Sequence, residues 1–264
     1  MVDHGDVGAS SSPETMTSES QSTAPSLAES VSDWLLLEDG PLLAVNKPAG
    51  LLTEGVPGGE GTLVGAVKDW LRVRYDKPGN VYLGIPHRLD GPTSGVIVFT
   101  RNSKTAARVA EQFEQRKVSK IYWALLEAHP ETESGLLVDW LRKIPDEARS
   151  EVCEPGAERA KEAKLEYRVL CQLGDRCLVE VRLLTGRMHQ IRVQFASRGC
   201  PVAGDVKYGG QPWSPGGAGC PPGELIALHA RSLTLKHPIR YDELTVEAPL
   251  PEYWGIPVED VPTS

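Results

Sequence analysis

Apolar residues recur along the chain in two rhythms. Between Thr62 and Tyr75 the spacing of Leu63, Val67, Trp70 and Leu71 puts them on one face of a helix, and Ala106, Val109, Ala110 and Phe113 do the same for a second helix capped by Ser103. Elsewhere the period is two. Leu165, Tyr167, Val169 and Cys171 alternate up to a Gly174-Asp175 turn, and Cys177, Val179, Val181 and Leu183 alternate after it, which predicts a hairpin of Lys164 to Leu173 with Arg176 to Leu184. Further strands are predicted at Pro41 to Asn46, Lys120 to Ala128, Leu225 to Leu235 and Glu243 to Ala248, and Val96 to Thr100 reads as a strand buried on both faces. A short helix is expected over Met188 to Ser197, with Gly199 as its left-handed stop. Many strands with few helices indicate the α+β class, a mixed and mostly antiparallel sheet flanked by helices.

Residues 1–33 break both rhythms. They are rich in Ser, Thr, Glu, Pro and Ala, too polar to offset the entropy of ordering, so the expectation is a disordered acidic tail, with order starting near Trp34 and a single domain over 34–264. Gly209 to Gly223 reads as an exposed Gly/Pro-rich insertion. The segment lacks the basic start and apolar run of a secretion signal, and no stretch approaches the ~18 apolar residues of a membrane span, which leads to the expectation of a cytoplasmic protein.

Charge then changes the picture. The formal charge is −8, but eight of the 36 acids lie in residues 1–39, which hold no Lys or Arg, so the remainder balances 28 against 28. An acidic pI near 5.4 therefore does not exclude a nucleic-acid partner. Gly84 to Tyr122 is locally basic, with seven Lys or Arg against three acids. The five cysteines form no Cys-x-x-Cys pair, and no two of the six histidines sit four apart on a helix, so neither a disulfide framework nor a metal site is expected. Gly59-Glu60-Gly61 with Gly65 imitates a dinucleotide loop, but no strand feeds it directly, so it reads as a turn.

The chemistry concentrates in PHRLDGPTSG, Pro86 to Gly95. In an extended segment Arg88 and Asp90 project to one side, where a guanidinium can keep the carboxylate ionised, and Gly91-Pro92 turns the chain at that point. An ionised, positioned carboxylate is a nucleophile or a base. Taken with LLAVNKPAGLL, KIYWALL, TGRMHQIRV and PVAGDVKYG, in that order along the chain, the motif resembles an RluA-type pseudouridine synthase over about Leu42 to Pro249.

The resemblance implies a catalytic fold with a central RNA-binding cleft and the isomerisation of uridine in ribosomal or transfer RNA, by a monomer and without metal or cofactor. It implies that Asp90 attacks the nucleoside, at C1′, at C6, or by way of a glycal. Tyr122 would stack on the flipped base and is the candidate for removing the C5 proton; Arg192 would pair with Asp90. Arg88 would fill the gap left by the uridine. Gln190, Lys117 and Lys120 are further candidate RNA contacts; Lys47 would be an RNA contact or a structural residue of its turn, and Arg187 and His189 would contact phosphate or brace theirs. Gly91 and Gln194 depart from the pattern, standing where a larger, often basic residue and a histidine are usual. Two rivals stand beside this reading: a non-catalytic RNA-binding protein on the same fold, and a hydrolase pairing Asp90 with a second carboxylate ~5–10 Å away.

Overall fold

A computed structural model describes residues 26–55, 61–213 and 225–256. Residues 1–25, most of the Gly/Pro-rich insertion and most of the Gly59-Glu60-Gly61 turn lie outside the described residues. Ten strands form one sheet. In chain order they are β1 (Leu35–Asp39), β2 (Leu42–Lys47), β3 (Ser94–Thr100), β4 (Ser119–Leu126), β5 (Ser134–Lys143), β6 (Ser150–Cys153), β7 (Lys161–Leu173), β8 (Arg176–Leu183), β9 (Leu228–Lys236) and β10 (Glu243–Glu247). They line up as β1-β2-β3-β9-β4-β8-β7-β5-β6, with β10 paired to the far half of β9. Every pairing is antiparallel except β3 with β9, so the mixed sheet expected from the sequence is the one observed.

The parallel junction is short, Ser94 opposite His229 and Gly95 opposite Ala230, and it requires the glycine. Gly95 has φ +110°, and a Cβ there would stand 2.3 Å from the Ala230 carbonyl oxygen. This is where the PHRLDGPTSG loop enters the sheet. The rest of β3 is buried on both faces, each of Val96 to Phe99 being at most 1% exposed. Ile97 and Phe99 pack toward helix α2 (Leu63–Arg74), and Val96 and Val98 toward α3 (Ser103–Glu114).

The helices follow the expected faces, with small changes at their ends. Leu63, Val67, Trp70 and Leu71 are all buried, and Thr62 caps α2 by accepting from the Gly65 N–H. The cap of α3 is Asn102 rather than Ser103, its side chain accepting from Thr105 N–H. Helix α4 covers Gln190–Ala196 rather than starting at Met188, because His189 adopts a left-handed conformation with φ 55° and ψ 25° and breaks the helix there.

Two sequence expectations need correction. Order begins before Trp34: α1 spans Leu27–Trp34, with a capping box between Ser26 and Glu29 and with Val31 fully buried. One buried valine, packed with α2, plus a hydrogen bond from Trp70 Nε1 to Ser32 Oγ at 2.9 Å, holds a segment whose composition is that of a solvated tail. Strands β5 and β6 were also not legible in the sequence. Leu136 and Val138 are exposed on the face opposite buried Leu137 and Leu141, so the alternation that marks a half-buried strand is masked. Among the described residues no helix is long and apolar enough to cross a membrane, and Cys153, Cys171, Cys177 and Cys200 form no disulfide.

If α1 is part of the folded domain, Val31→Ala should cost about 2 kcal/mol, the loss of most of a buried valine side chain. A urea midpoint unchanged from wild type would show that α1 contributes nothing to the domain.

Candidate active site

Asp90 stands in the loop just ahead of β3, in the turn closed by the Thr93 N–H to Asp90 carbonyl bond at 3.0 Å. The residues around it alternate as expected. His87 turns inward, its Nε2 accepting from the Val98 N–H at 2.9 Å, and Leu89 is buried, while Arg88 and Asp90 face outward. Three further bonds fix the loop from behind. Thr53 Oγ1 donates to the Leu89 carbonyl at 2.8 Å, Gly50 N–H donates to the Gly91 carbonyl at 2.9 Å, and the same Gly91 carbonyl accepts from Lys47 Nζ at 2.8 Å.

Lys47 is therefore not a substrate contact. It has no exposed surface, and its Nζ donates to the carbonyls of Pro48, Leu51 and Gly91 at 2.9, 2.6 and 2.8 Å. Three carbonyls match the three N–H groups of an ammonium. Burial lowers its pKa to about 7, partly opposed by the charge on Asp90.

A cleft of about 650 Å³ opens over Asp90. Tyr122, on β4, lines it, and so do Arg187 and His189 from the segment between β8 and α4 and Arg192 from the first turn of α4. Arg192 is the hinge of the site. Its side chain is 5% exposed, and it grips Asp205 in a bidentate pair, Nε to Oδ2 at 2.6 Å and Nη2 to Oδ1 at 2.8 Å. Its third nitrogen, Nη1, is 3.8 Å from Asp90 Oδ2. The expected pairing of Arg192 with Asp90 is thus present as the longer contact, and Asp205 is the principal partner. Asp205 lies within the PVAGDVKYG motif, but nothing in the sequence said that its carboxylate would be 1% exposed against Arg192.

His189 occupies the other approach to Asp90. Its Nε2 is 3.7 Å from Oδ2, and its Nδ1 is 2.8 Å from the hydroxyl of Tyr208, which lies in a short 3₁₀ turn, Val206–Tyr208. Burial, with help from Arg192 and Lys207, lowers the histidine pKa against the pull of Asp90 and Asp205. Tyr122 is pushed the other way, well above an ordinary phenol, by burial first and by the charge on Asp90 second. It is a neutral phenol at neutral pH.

The remaining expectations divide. Arg88 lines the cleft mouth but does not pair with Asp90: its Nη1 pairs with Glu54 at 3.0 Å, and its side chain is 68% exposed. Glu54 captures it from a separate loop, which alternation along one segment could not show. Gln190 lines the cleft, yet its amide is committed to structure. Its Oε1 accepts from Thr185 Oγ1 and Arg187 N–H, and its Nε2 donates to the Lys164 carbonyl. Arg187 Nε donates to the Glu162 carbonyl at 3.0 Å while the residue lines the cleft. Lys120, two residues before Tyr122, lines it too, its pKa lowered by burial and then by Arg116. Lys117 is exposed and does not line the cleft. Gln194, a departure from the expected pattern, points away to Asp139 at 2.6 Å.

A profile of the family described as RNA pseudouridylate synthase matches residues 41–197. The chain belongs to that family. It is of the RluA type and so a member of a family of RNA-modifying isomerases. It is 32% identical over 222 residues to an uncharacterized RNA pseudouridine synthase of Synechocystis sp., an alignment covering 83% of this chain and 66% of that protein. It is 30% identical over 223 residues to ribosomal large subunit pseudouridine synthase C of Rickettsia felis, covering 84% and 69%. The solved structure of human RNA pseudouridylate synthase domain containing 4 superposes with a TM-score of 0.69 at 25% identity, over 87% of this chain and 93% of that one. Asp205 is locked on Arg192 and so is not free to serve as the second carboxylate of a hydrolase. Among the described residues no cluster of three or more His, Cys, Asp or Glu side chains is placed to hold a metal ion.

Lys47→Ala should act on stability rather than on RNA affinity. The carbonyls of Pro48 and Leu51 lose the ammonium, and that of Gly91 keeps only Gly50 N–H, so at about 1–3 kcal/mol for each carbonyl left without its donor, unfolding should become easier by ~2 kcal/mol or more. A variant with normal thermal stability and weakened RNA binding would return Lys47 to the substrate contacts.

Proposed function

We propose that this protein converts uridine to pseudouridine in structured RNA, with Asp90 as the attacking carboxylate. The observation that carries the reading is the convergence on Asp90. A fixed guanidinium and an imidazole approach one carboxylate at 3.8 and 3.7 Å, beside an aromatic ring, at the floor of a cleft. Uridine and pseudouridine are isomers. The N1–C1′ bond breaks, the C5–C1′ bond forms, the C5 proton leaves and N1 gains one. No electrons are exchanged with a partner, so the reaction needs an anionic nucleophile, a cation to keep it charged, a surface for the loosened base and an acceptor for the C5 proton.

The residues present fit those needs. Asp90 is the one open member of its cluster, 36% exposed where Arg192 and Asp205 are 5% and 1% exposed. Reaching it requires the target base to leave its stack, at a cost of a few kcal/mol. Tyr122 offers a face that can offset about 1–3 kcal/mol of that cost. Being a neutral phenol, Tyr122 can take the C5 proton only as it hands its own onward, so stacking is the role its resting state supports directly. Arg88 at the mouth, with Lys120 and Arg187 inside, supplies cations for the phosphates and for the space the base vacates. The large-subunit name of the Rickettsia relative favours ribosomal over transfer RNA as the substrate. We further propose that it acts in the cytoplasm and as a monomer.

Pseudouridine mapping of cellular RNA, with and without the gene, tests this reading. One or more sites should vanish on deletion and return with wild type but not with Asp90→Asn, which removes the negative charge at nearly constant volume. Identical maps would turn the argument toward an RNA-binding protein. Tyr122→Ala should weaken binding of the mapped RNA by about 1–3 kcal/mol; an unchanged Kd, measured by fluorescence anisotropy, would remove the stacking role.

A further inference from the structure

Both groups that approach Asp90 do so nearest to the same oxygen. His189 Nε2 and Arg192 Nη1 lie 3.7 and 3.8 Å from Oδ2. On the reading of Asp90 as the attacking carboxylate, we infer that His189 is a positioning residue: a neutral imidazole that carries its proton on Nε2, holds Oδ2 beside Arg192, and leaves Oδ1 as the oxygen that reacts.

The tautomer follows from the far side of the ring. Tyr208 Oη accepts the Ser150 backbone N–H at 2.8 Å and lies 2.8 Å from His189 Nδ1. A hydroxyl that has accepted one donor has its own proton left to give, and donation becomes more favourable in such a chain. With the Tyr208 O–H on Nδ1, the imidazole proton sits on Nε2, facing Asp90. The other tautomer would set a lone pair against a carboxylate. Arg192 lies over the Tyr208 ring at 5.1 Å, and the imidazole meets that ring edge-on at 5.6 Å. Tyr208 therefore registers both groups that face Asp90.

The backbone points to the same role. His189 holds φ 55°, a conformation unfavourable for a residue with a Cβ, at the cap of α4, where its side chain makes no capping bond. The ring is spent on Tyr208 and Asp90 rather than on the helix. At 3.7 Å the contact to Asp90 is longer than a hydrogen bond, the usual state of a catalytic contact before substrate closes the site.

Two substitutions separate positioning from mere packing. His189→Gln carries an N–H to the reach of Nε2, whereas His189→Asn stops at the reach of Nδ1 but tolerates the left-handed backbone better. Single-turnover pseudouridine formation on the mapped RNA should stay within about tenfold of wild type for the Gln variant and fall a further ~10- to 100-fold for the Asn variant, with KM for RNA changed by less than about threefold in both. Thermal stability should rank the other way, Asn at or above Gln. An Asn variant as fast as the Gln variant would overturn the inference, because a structural role favours Asn. The second measurement does not depend on turnover: the imidazole nitrogen spectrum of His189 should show a neutral ring protonated on Nε2, and Tyr208→Phe should disturb it. A proton on Nδ1 overturns the positioning geometry while leaving the functional reading intact. A wild type that forms no pseudouridine removes the functional reading, and His189's catalytic role with it.

Discussion

A guanidinium taken almost wholly out of water is the constraint on which the site depends. Burying Arg192 carries a desolvation cost of several kcal/mol, which only a fixed, well-aligned anion can offset. Asp205 supplies that anion through two parallel N–H to O bonds, and it is itself fixed, because its backbone carbonyl accepts from the Tyr208 and Gly210 N–H groups. One edge of the fork is consumed in this way. The remaining nitrogen, Nη1, is the part left to face Asp90. A lysine could not divide its charge between two carboxylates in fixed directions, so the planar fork is required as well as the charge.

Exposure follows from that arrangement. Asp205 and Arg192 are sealed, His189 is nearly so, and Asp90 alone opens to the cleft. A carboxylate in that position keeps its charge available to substrate while the positive charge that stabilises it stays out of solvent. The loop carrying Asp90 is held from the opposite side by a second buried cation, Lys47, whose three backbone acceptors include the carbonyl of the residue after Asp90. Arg192 and Lys47 thus brace one half-buried carboxylate residue from two sides, one through its side chain and one through the backbone beside it.

The sheet brings these parts together from distant stretches of chain. Strand β3 delivers Asp90, β4 delivers Tyr122, and β9 lies between them, parallel to one and antiparallel to the other. The close approach at Gly95 and Ala230 makes that three-strand junction possible. Behind it, Ser94 Oγ and His229 Nδ1 lie 2.9 Å apart in the buried interior. Burial lowers the His229 pKa to about 4, so the pair is neutral and serves as a brace rather than as a second reactive centre.

Local periodicity carried most of the strands and helices, because each depends on residues a few positions apart: Leu63, Val67, Trp70 and Leu71 in α2, or the alternation on either side of Gly174-Asp175. Asp90 could be singled out from its own loop as a candidate carboxylate, whereas Tyr122 and Arg192 were candidates only through the resemblance of their contiguous motifs to the family. Local reading failed where a distant partner decides the outcome. The segment Leu27–Trp34 is helical because Val31 finds a core built from β2 and α2, well outside its own segment; Arg88 turns from Asp90 because Glu54 is nearer. Lys47 looked like a substrate contact until the fold placed three carbonyls around its ammonium. The sequence alone thus determined which groups are present and on which kind of element each sits. Only the tertiary structure decided which charges meet, since ion pairing and burial depend on distances between segments that local periodicity does not contain.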